Sequence, residues 1–154
     1  MSYEMLKMIH VIGAIMMVGN ILVTAVWKIR ADRTNSPQVI AFAQRLVTLT
    51  DFIFTLPGAV LLIATGDYIA YVLMSDSWSI TWIFWGRILF ITSGLIWLLI
   101  LVPVQIKQAK LAHSFADGDK IPAQYWHLNR TWVTAGSLAV ILPLIAVVLM
   151  IIKP

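Results

Sequence analysis

Four long apolar runs dominate the chain and constrain what it can fold into. The predicted spans cover about residues 6–27, 50–73, 79–104 and 130–152. A helix needs about 20 residues to cross the roughly 30 Å hydrocarbon layer of a bilayer, and each run is long enough. Lipid offers the backbone no hydrogen-bond partners, so helix is the expected state of every run. The sequence therefore predicts an all-α integral membrane protein, a four-transmembrane-helix bundle forming one membrane domain over residues 1–154.

The composition excludes several other classes of protein. Apolar residues make up 60% of the chain and charged residues 12%, which leaves too few polar groups to cover a soluble domain. The absence of cysteine excludes disulfides and thiolate-bound metals. The net charge is +4, but the basic residues are split across short links, which argues against a nucleic-acid partner. The first run is too long for the core of a signal peptide, so we expect a retained span.

The basic residues predict an orientation in the membrane. They concentrate in the links between helices 1 and 2 and between helices 3 and 4, and include Lys28, Arg30, Arg33, Lys107, Lys110 and Lys120. The positive-inside rule places such links in the cytoplasm. We therefore expect a multi-pass protein of the bacterial cytoplasmic (inner) membrane with both termini in the periplasm.

Helices 2 and 3 are expected to extend beyond the membrane on the cytoplasmic side. Ser36-Pro37 is typical of a helix start, with proline in the first turn. That helix would continue into the second span and bend at Pro57. Residues 105–115 prolong helix 3 as a more polar segment, which Asp117-Gly118-Asp119 would end.

Three ionisable side chains fall at similar depth near the periplasmic ends of three different helices. They are His10, Asp67 and Arg87, each roughly 10 Å inside the membrane at about 1.5 Å per residue. Such groups avoid lipid, so we expect them to face the bundle interior and form a polar pocket. Helix 1 supports this with a stripe of small and polar residues at helical spacing, namely His10, Gly13, Met17, Asn20 and Thr24.

Structural roles are open for the same residues. His10 could be a hydrogen-bonded packing residue, Arg87 could extend outward along its own helix, and Asp67 could end helix 2 in the headgroups. Asp51 and Arg130 both begin spans on the cytoplasmic side, where an ion pair is the favoured interpretation.

An intramembrane histidine is also a possible axial ligand of haem. The other two histidines belong to the opposite side. A haem iron at His10 would therefore be five-coordinate, or take its sixth ligand from a methionine, another weak ligand or a second chain. Arg87 could pair with a haem propionate, and Met17 and Asp67 complete the candidate cofactor site. No phosphate loop, zinc-protease motif or serine-nucleophile motif supports other chemistry.

Several short motifs resemble a known family. They are residues 6–13, the Thr55 to Gly58 stretch, the start of helix 3 with tryptophan and a basic residue, residues 125–132 and the Lys-Pro C-terminus. Together they are similar to the bacterial predicted integral membrane proteins called domain of unknown function 2269. More distantly, the chain resembles HemJ-type protoporphyrinogen oxidases and the CopD-type copper-resistance membrane domain.

The HemJ resemblance implies a cofactor. In HemJ-type proteins a first-helix histidine is thought to hold haem, and it matches His10, while a Leu-Asn pair matches Leu128-Asn129. A third-helix lysine important to those enzymes falls where this sequence has Arg87. Arginine keeps the charge but cannot give up its proton, so the resemblance implies a shared fold more than a shared reaction.

Two functional hypotheses follow. The first is a haem b-associated redox or porphyrin-handling protein, with haem b at His10 and with Arg87, Met17 and Asp67 around it. The alternative is a non-catalytic membrane subunit or scaffold whose conspicuous residues serve helix packing. Both imply the lipid bilayer as surroundings, and a homo-oligomer or a membrane redox partner rather than nucleic acid.

Overall fold

The chain forms four long helices in the computed structural model, which describes residues 2–73, 79–118 and 120–154. They are α1 (Tyr3–Arg33), α2 (Pro37–Val72), α3 (Thr81–Ser114) and α4 (Ala123–Ile152), and each is long and apolar enough to cross a membrane. No strand occurs in the part of the chain that is described. The predicted all-α architecture with four candidate spans is thereby confirmed.

The extensions of α2 and α3 begin and end close to the predicted positions. α2 starts at Pro37, directly after Ser36, and Asn35 makes the preceding turn with a positive φ of 51°. α3 ends at Ser114. The turn beyond it includes Gly118 with a φ of 106°, a conformation that favours glycine. Asp119, the last residue of the predicted stop signal, lies outside the described residues.

α2 and α3 each contain one π-helical turn just before a proline. The turns cover Asp51–Thr55 and Trp97–Leu101, and Pro57 and Pro103 follow them closely. Proline cannot donate the ordinary i to i−4 bond and its ring crowds that carbonyl, so the backbone widens locally. The first of these π turns directs the side chain of Asp51 into the bundle. The bend expected at Pro57 stays a prediction.

In the described part of the chain, the helices pack mainly as two pairs at one end and as one bundle at the other. α1 lies along residues 56–72 of α2, and the Thr81–Ile96 part of α3 lies along α4. The Pro37–Thr50 and Val102–Ser114 parts pack on each other and join the two pairs. We call the joined end the basic side, because it carries the links rich in lysine and arginine. The end that carries both chain termini is the terminal side.

Candidate functional site

His10 is held on the terminal side by a hydrogen bond to α2. Its Nδ1 atom lies 3.0 Å from Oγ1 of Thr65. The Thr65 hydroxyl donates its one proton to the carbonyl of Leu61 in its own helix, so it accepts the bond from the Nδ1–H of His10. This network assigns the proton to Nδ1 and leaves a lone pair on Nε2. A Cβ on Gly66 would stand 3.0 Å from Cε1 of His10, so the ring rests directly on the α2 backbone.

Two of the other predicted site residues meet in an ion pair. Nε of Arg87 lies 3.4 Å from Oδ1 of Asp67, and the two side chains are 16% and 64% exposed. Arg87 is therefore largely covered and directed towards α2. Asp67 follows Gly66, against which the imidazole of His10 packs. α2 therefore brings the His10 ring and the Asp67–Arg87 ion pair next to each other.

Met17 occupies a different environment from His10. It is buried where α1 meets α2, and its backbone nitrogen lies 2.8 Å from the place a Cβ on Gly58 would take. Met17 stands about two turns, roughly 10 Å, from His10 along α1. Here it serves the close packing of α1 on α2. The stripe predicted on α1 does face the interior, since Gly13, Met17 and Thr24 are all buried.

Asp51 forms the centre of a polar cluster that we call the aspartate cluster: Asn20, Asp51, Thr55 and Gln105. Oδ1 of Asp51 accepts hydrogen bonds from Thr55 at 2.8 Å and Asn20 at 3.2 Å. Oδ2 accepts one from Gln105 at 3.0 Å. Three helices thus converge on one carboxyl group that is 9% exposed.

The expected pairing of Asp51 with Arg130 does not occur. Arg130 is exposed on α4, while the π turn directs Asp51 inward to α1 and α3. Among the described residues no cation lies within ion-pair distance of Asp51.

A second buried cluster lies nearer the basic side. We call it the lysine cluster: Lys28, Asp32, Tyr125 and Asn129. Nζ of Lys28 donates to both carboxylate oxygens of Asp32, at 2.8 and 2.7 Å, to the Tyr125 hydroxyl at 2.7 Å and to Oδ1 of Asn129 at 3.2 Å. The Tyr125 hydroxyl donates to Asp32 at 2.9 Å. Lys28 is fully buried, so the cluster compensates its charge inside the protein.

Aromatic rings complete the surroundings of Lys28. Its Nζ lies 5.0 Å from the ring centroid of Tyr125 and 5.6 Å from that of Trp132. Ring faces attract a cation at such distances. α4 therefore supplies two hydrogen-bond acceptors and two ring contacts to a lysine of α1.

An open cleft reaches the lysine cluster from the surface. It encloses about 610 Å³, and Asp32 and Asn129 form part of its lining, together with Arg33 and Trp126. Deeper in the bundle, the side chains of Gln44 and Gln108 are fully buried. Both amide atoms of Gln44 and Oε1 of Gln108 have no hydrogen-bond partner within the described chain. Buried polar atoms without a hydrogen-bond partner are rare in folded proteins. The two glutamine side chains therefore mark an unusual place in the bundle.

The sequence alone does not reveal the interior position of these basic-side residues. Lys28 stands out in it only as an orientation signal, and nothing marks Asp32, Gln44, Gln108 or Tyr125 as interior groups. One local signal was available, since Lys28 and Asp32 are four residues apart and share a helix face. The contacts from Tyr125 and Asn129 come from a helix about a hundred residues later, and no local pattern reveals them.

The comparisons with known proteins give one positive result. A family model described as "Predicted integral membrane protein (DUF2269)" matches residues 4–154, nearly the whole chain. Neither the curated proteins nor the solved structures contain a match. The extent of the family match agrees with the four candidate spans. The chain therefore belongs to the DUF2269 family of predicted integral membrane proteins.

Proposed function

We propose that this membrane protein is a haem b-associated redox or porphyrin-handling protein in which His10 is the axial ligand. The observation that carries the proposal is the bond between His10 Nδ1 and Thr65 Oγ1. Metal-binding histidines typically donate one ring N–H to a neighbouring group, which orients the ring and leaves the other nitrogen for the metal. Nε2 of His10 has the lone pair that this role requires.

Two features near His10 support a flat, anionic ligand as the group that would bind there. On the terminal side, α1 and α2 form one pair, and α3 and α4 form another. Arg87 stands at the boundary between the pairs, bound to Asp67. A guanidinium can exchange a carboxylate partner for a propionate. When bound, haem would supply one-electron chemistry; the chain's own residues would orient the imidazole through Thr65 and neutralise a propionate through Arg87.

The proposed setting is the bacterial inner membrane, with both termini in the periplasm. The support is the excess of lysine and arginine in the two basic-side links. The haem site would then lie in the periplasmic half. On the resemblance to HemJ-type proteins, Arg87 would replace a lysine; the role proposed for Arg87 therefore uses its charge and not a proton transfer.

An absorption spectrum of the purified protein tests the haem proposal. We expect a Soret band after expression with haem supplied, and its loss in His10→Ala. The matched control is His127→Ala, because His127 is exposed at the start of α4, and that variant should keep the band. A protein that stays colourless after haem is supplied would remove the proposal.

A second candidate function is a non-catalytic membrane subunit or scaffold. The observation that favours it is the low burial of α3, whose most apolar window is 6% buried, whereas the windows of the other helices are 17–22% buried. A second copy or a partner helix could cover this face. On this alternative, His10→Ala and Arg87→Gln would change stability or partner association without loss of a cofactor.

A further inference from the structure

The depth of Asp51 follows from the register of α1 and α2. Gly13 contacts Gly58, and Asn20 donates a hydrogen bond to Asp51. These two contacts define the register of the two antiparallel helices. Asn20 lies about seven residues, roughly 10 Å, inside the end of the first predicted span. Asp51 itself is the second residue of the second predicted span, and its partner Gln105 follows the last residue of the third. The carboxyl group therefore lies near the basic-side end of the spans, but it is buried from water, and such a group is costly when it is ionised.

The two buried glutamines lie between the aspartate and lysine clusters. On α2, Gln44 stands between Asp51 and Ile40 on one face; on α3, Gln108 stands between Gln105 and Ala112. Asp51 binds Gln105, and Ile40 belongs to the same core cluster as Ala112. The antiparallel register therefore sets Gln44 opposite Gln108.

Gln108 also connects the two glutamine side chains to the lysine cluster. Its Nε2 donates to Oδ1 of Asn129 at 3.4 Å, and the same oxygen accepts from Lys28. Oε1 of Gln108 and the whole amide of Gln44 remain without partners in the chain. Leaving such groups buried without a hydrogen-bond partner is costly, whereas a water that finds two to four polar partners is stable in a protein interior.

The geometry points to internal water at the Gln44–Gln108 level, completing a proton pathway from the basic-side cleft to the carboxyl group of Asp51. The pathway begins at Asp32 and Asn129, which line the cleft. It passes the hydrogen-bonded groups of the lysine cluster and the water between the glutamines. It ends where a proton adds to the Asp51 carboxylate and forms the neutral acid, with no oxidation or reduction.

The side chains that face Asp51 carry no positive charge. A bound proton is therefore what would neutralise its carboxylate. α1 contributes Asn20, the π turn of α2 contributes Thr55, and α3 contributes Gln105, all of them neutral. Within the pathway the other titratable groups are Lys28, Asp32 and Tyr125, which are already bonded to each other.

The space between α1 and α2 offers the pathway no route to the terminal side. Beyond the aspartate cluster, α1 and α2 touch at Gly13 and Gly58, where even one added carbon would lie under 3 Å from the opposite backbone. That contact leaves no room for water. The inference is independent of haem, because it concerns the opposite half of the bundle from His10.

Infrared spectroscopy of the purified protein in lipid nanodiscs tests the pathway. The carboxyl C=O band of protonated Asp51 is identified as the band that the wild-type spectrum has and the Asp51→Asn spectrum lacks. In wild-type protein we expect this band to shift promptly after transfer to D₂O. In Gln44→Leu, which removes the amide that holds the water, exchange must wait for local opening and should slow at least about tenfold.

Ser93→Ala is the matched control, because it removes a buried hydrogen bond to Ala139 away from the pathway. It should exchange at the wild-type rate. If Gln44→Leu does not fold, Gln108→Leu makes the same test from α3. Equal exchange rates in wild type and the glutamine variants would overturn the inference, as would the absence of an Asp51 carboxyl band at any pH at which the protein is folded. Failure of the haem spectrum would leave this result untouched.

Discussion

The carbonyl oxygen of Gly13 lies 2.8 Å from the point where a Cβ on Gly58 would stand. This contact holds the backbones of α1 and α2 close together in the terminal half of the bundle. Small residues allow such approaches between membrane helices, where dispersion contacts take over much of the role of the hydrophobic effect.

Gly58→Ala should therefore destabilise the protein. The added methyl would meet the backbone of Gly13 and Met17, and overpacking of this kind costs about 1–3 kcal/mol. Unfolding in detergent mixtures measures the change. Gly19→Ala is the control, because a Cβ there meets nothing within 4 Å. The expectation fails if both variants unfold alike.

Lys28→Met should be among the most damaging single changes on the basic side. It leaves Asp32 buried without its cation, and breaking a buried pair in this way costs about 3–5 kcal/mol. Lys107→Met removes an exposed lysine and should cost little. A double-mutant cycle with Asp32→Asn should show strong coupling, since the second change removes the unpaired charge. Additive effects would contradict the buried pair.

Asp67→Asn should change the free energy of unfolding by less than about 1 kcal/mol, because pairs exposed to solvent contribute little. Asp67 is 64% exposed, although Arg87 is mostly covered. The same unfolding assay checks this. A loss as large as that of Lys28→Met would mean that the Asp67–Arg87 pair is shielded in the assembled protein.

Thr65→Val should weaken haem retention about 10- to 100-fold if His10 is the axial ligand, because it removes the oxygen that orients the imidazole. Haem transfer to an acceptor protein, followed by absorption, gives the rate of loss. Thr134→Val is the control, since its hydroxyl bonds only within an exposed part of α4. Equal retention in both variants would argue against a ligand role for His10.

The orientation can be tested directly because the chain has no cysteine. We expect a membrane-impermeant maleimide to label Ser2→Cys from the periplasmic side of right-side-out vesicles, and to leave Lys120→Cys unlabelled. Both positions are exposed. The reverse labelling pattern would invert the orientation and move the His10 region to the cytoplasm.

The sequence by itself determined the four helices, because the length of an apolar run decides whether it can cross a bilayer and lipid leaves the backbone no alternative to helix. It also determined the start of α2 at Pro37 and the inward face of α1, since proline geometry and helical spacing are local properties. His10, Asp67 and Arg87 stood out for the same reason, as ionisable residues within apolar runs.

Only the tertiary structure decided which side chains meet. Spacing along one helix fixes a face, but the residue opposite depends on the register between helices, and contacts such as Lys28 with Tyr125 join residues far apart in the chain. The register placed Asp51 beside Asn20 instead of Arg130. It also placed Lys28, an orientation signal in the sequence, in the interior. There three side chains accept four hydrogen bonds and two aromatic rings lie near the charge, which compensates the loss of water around it.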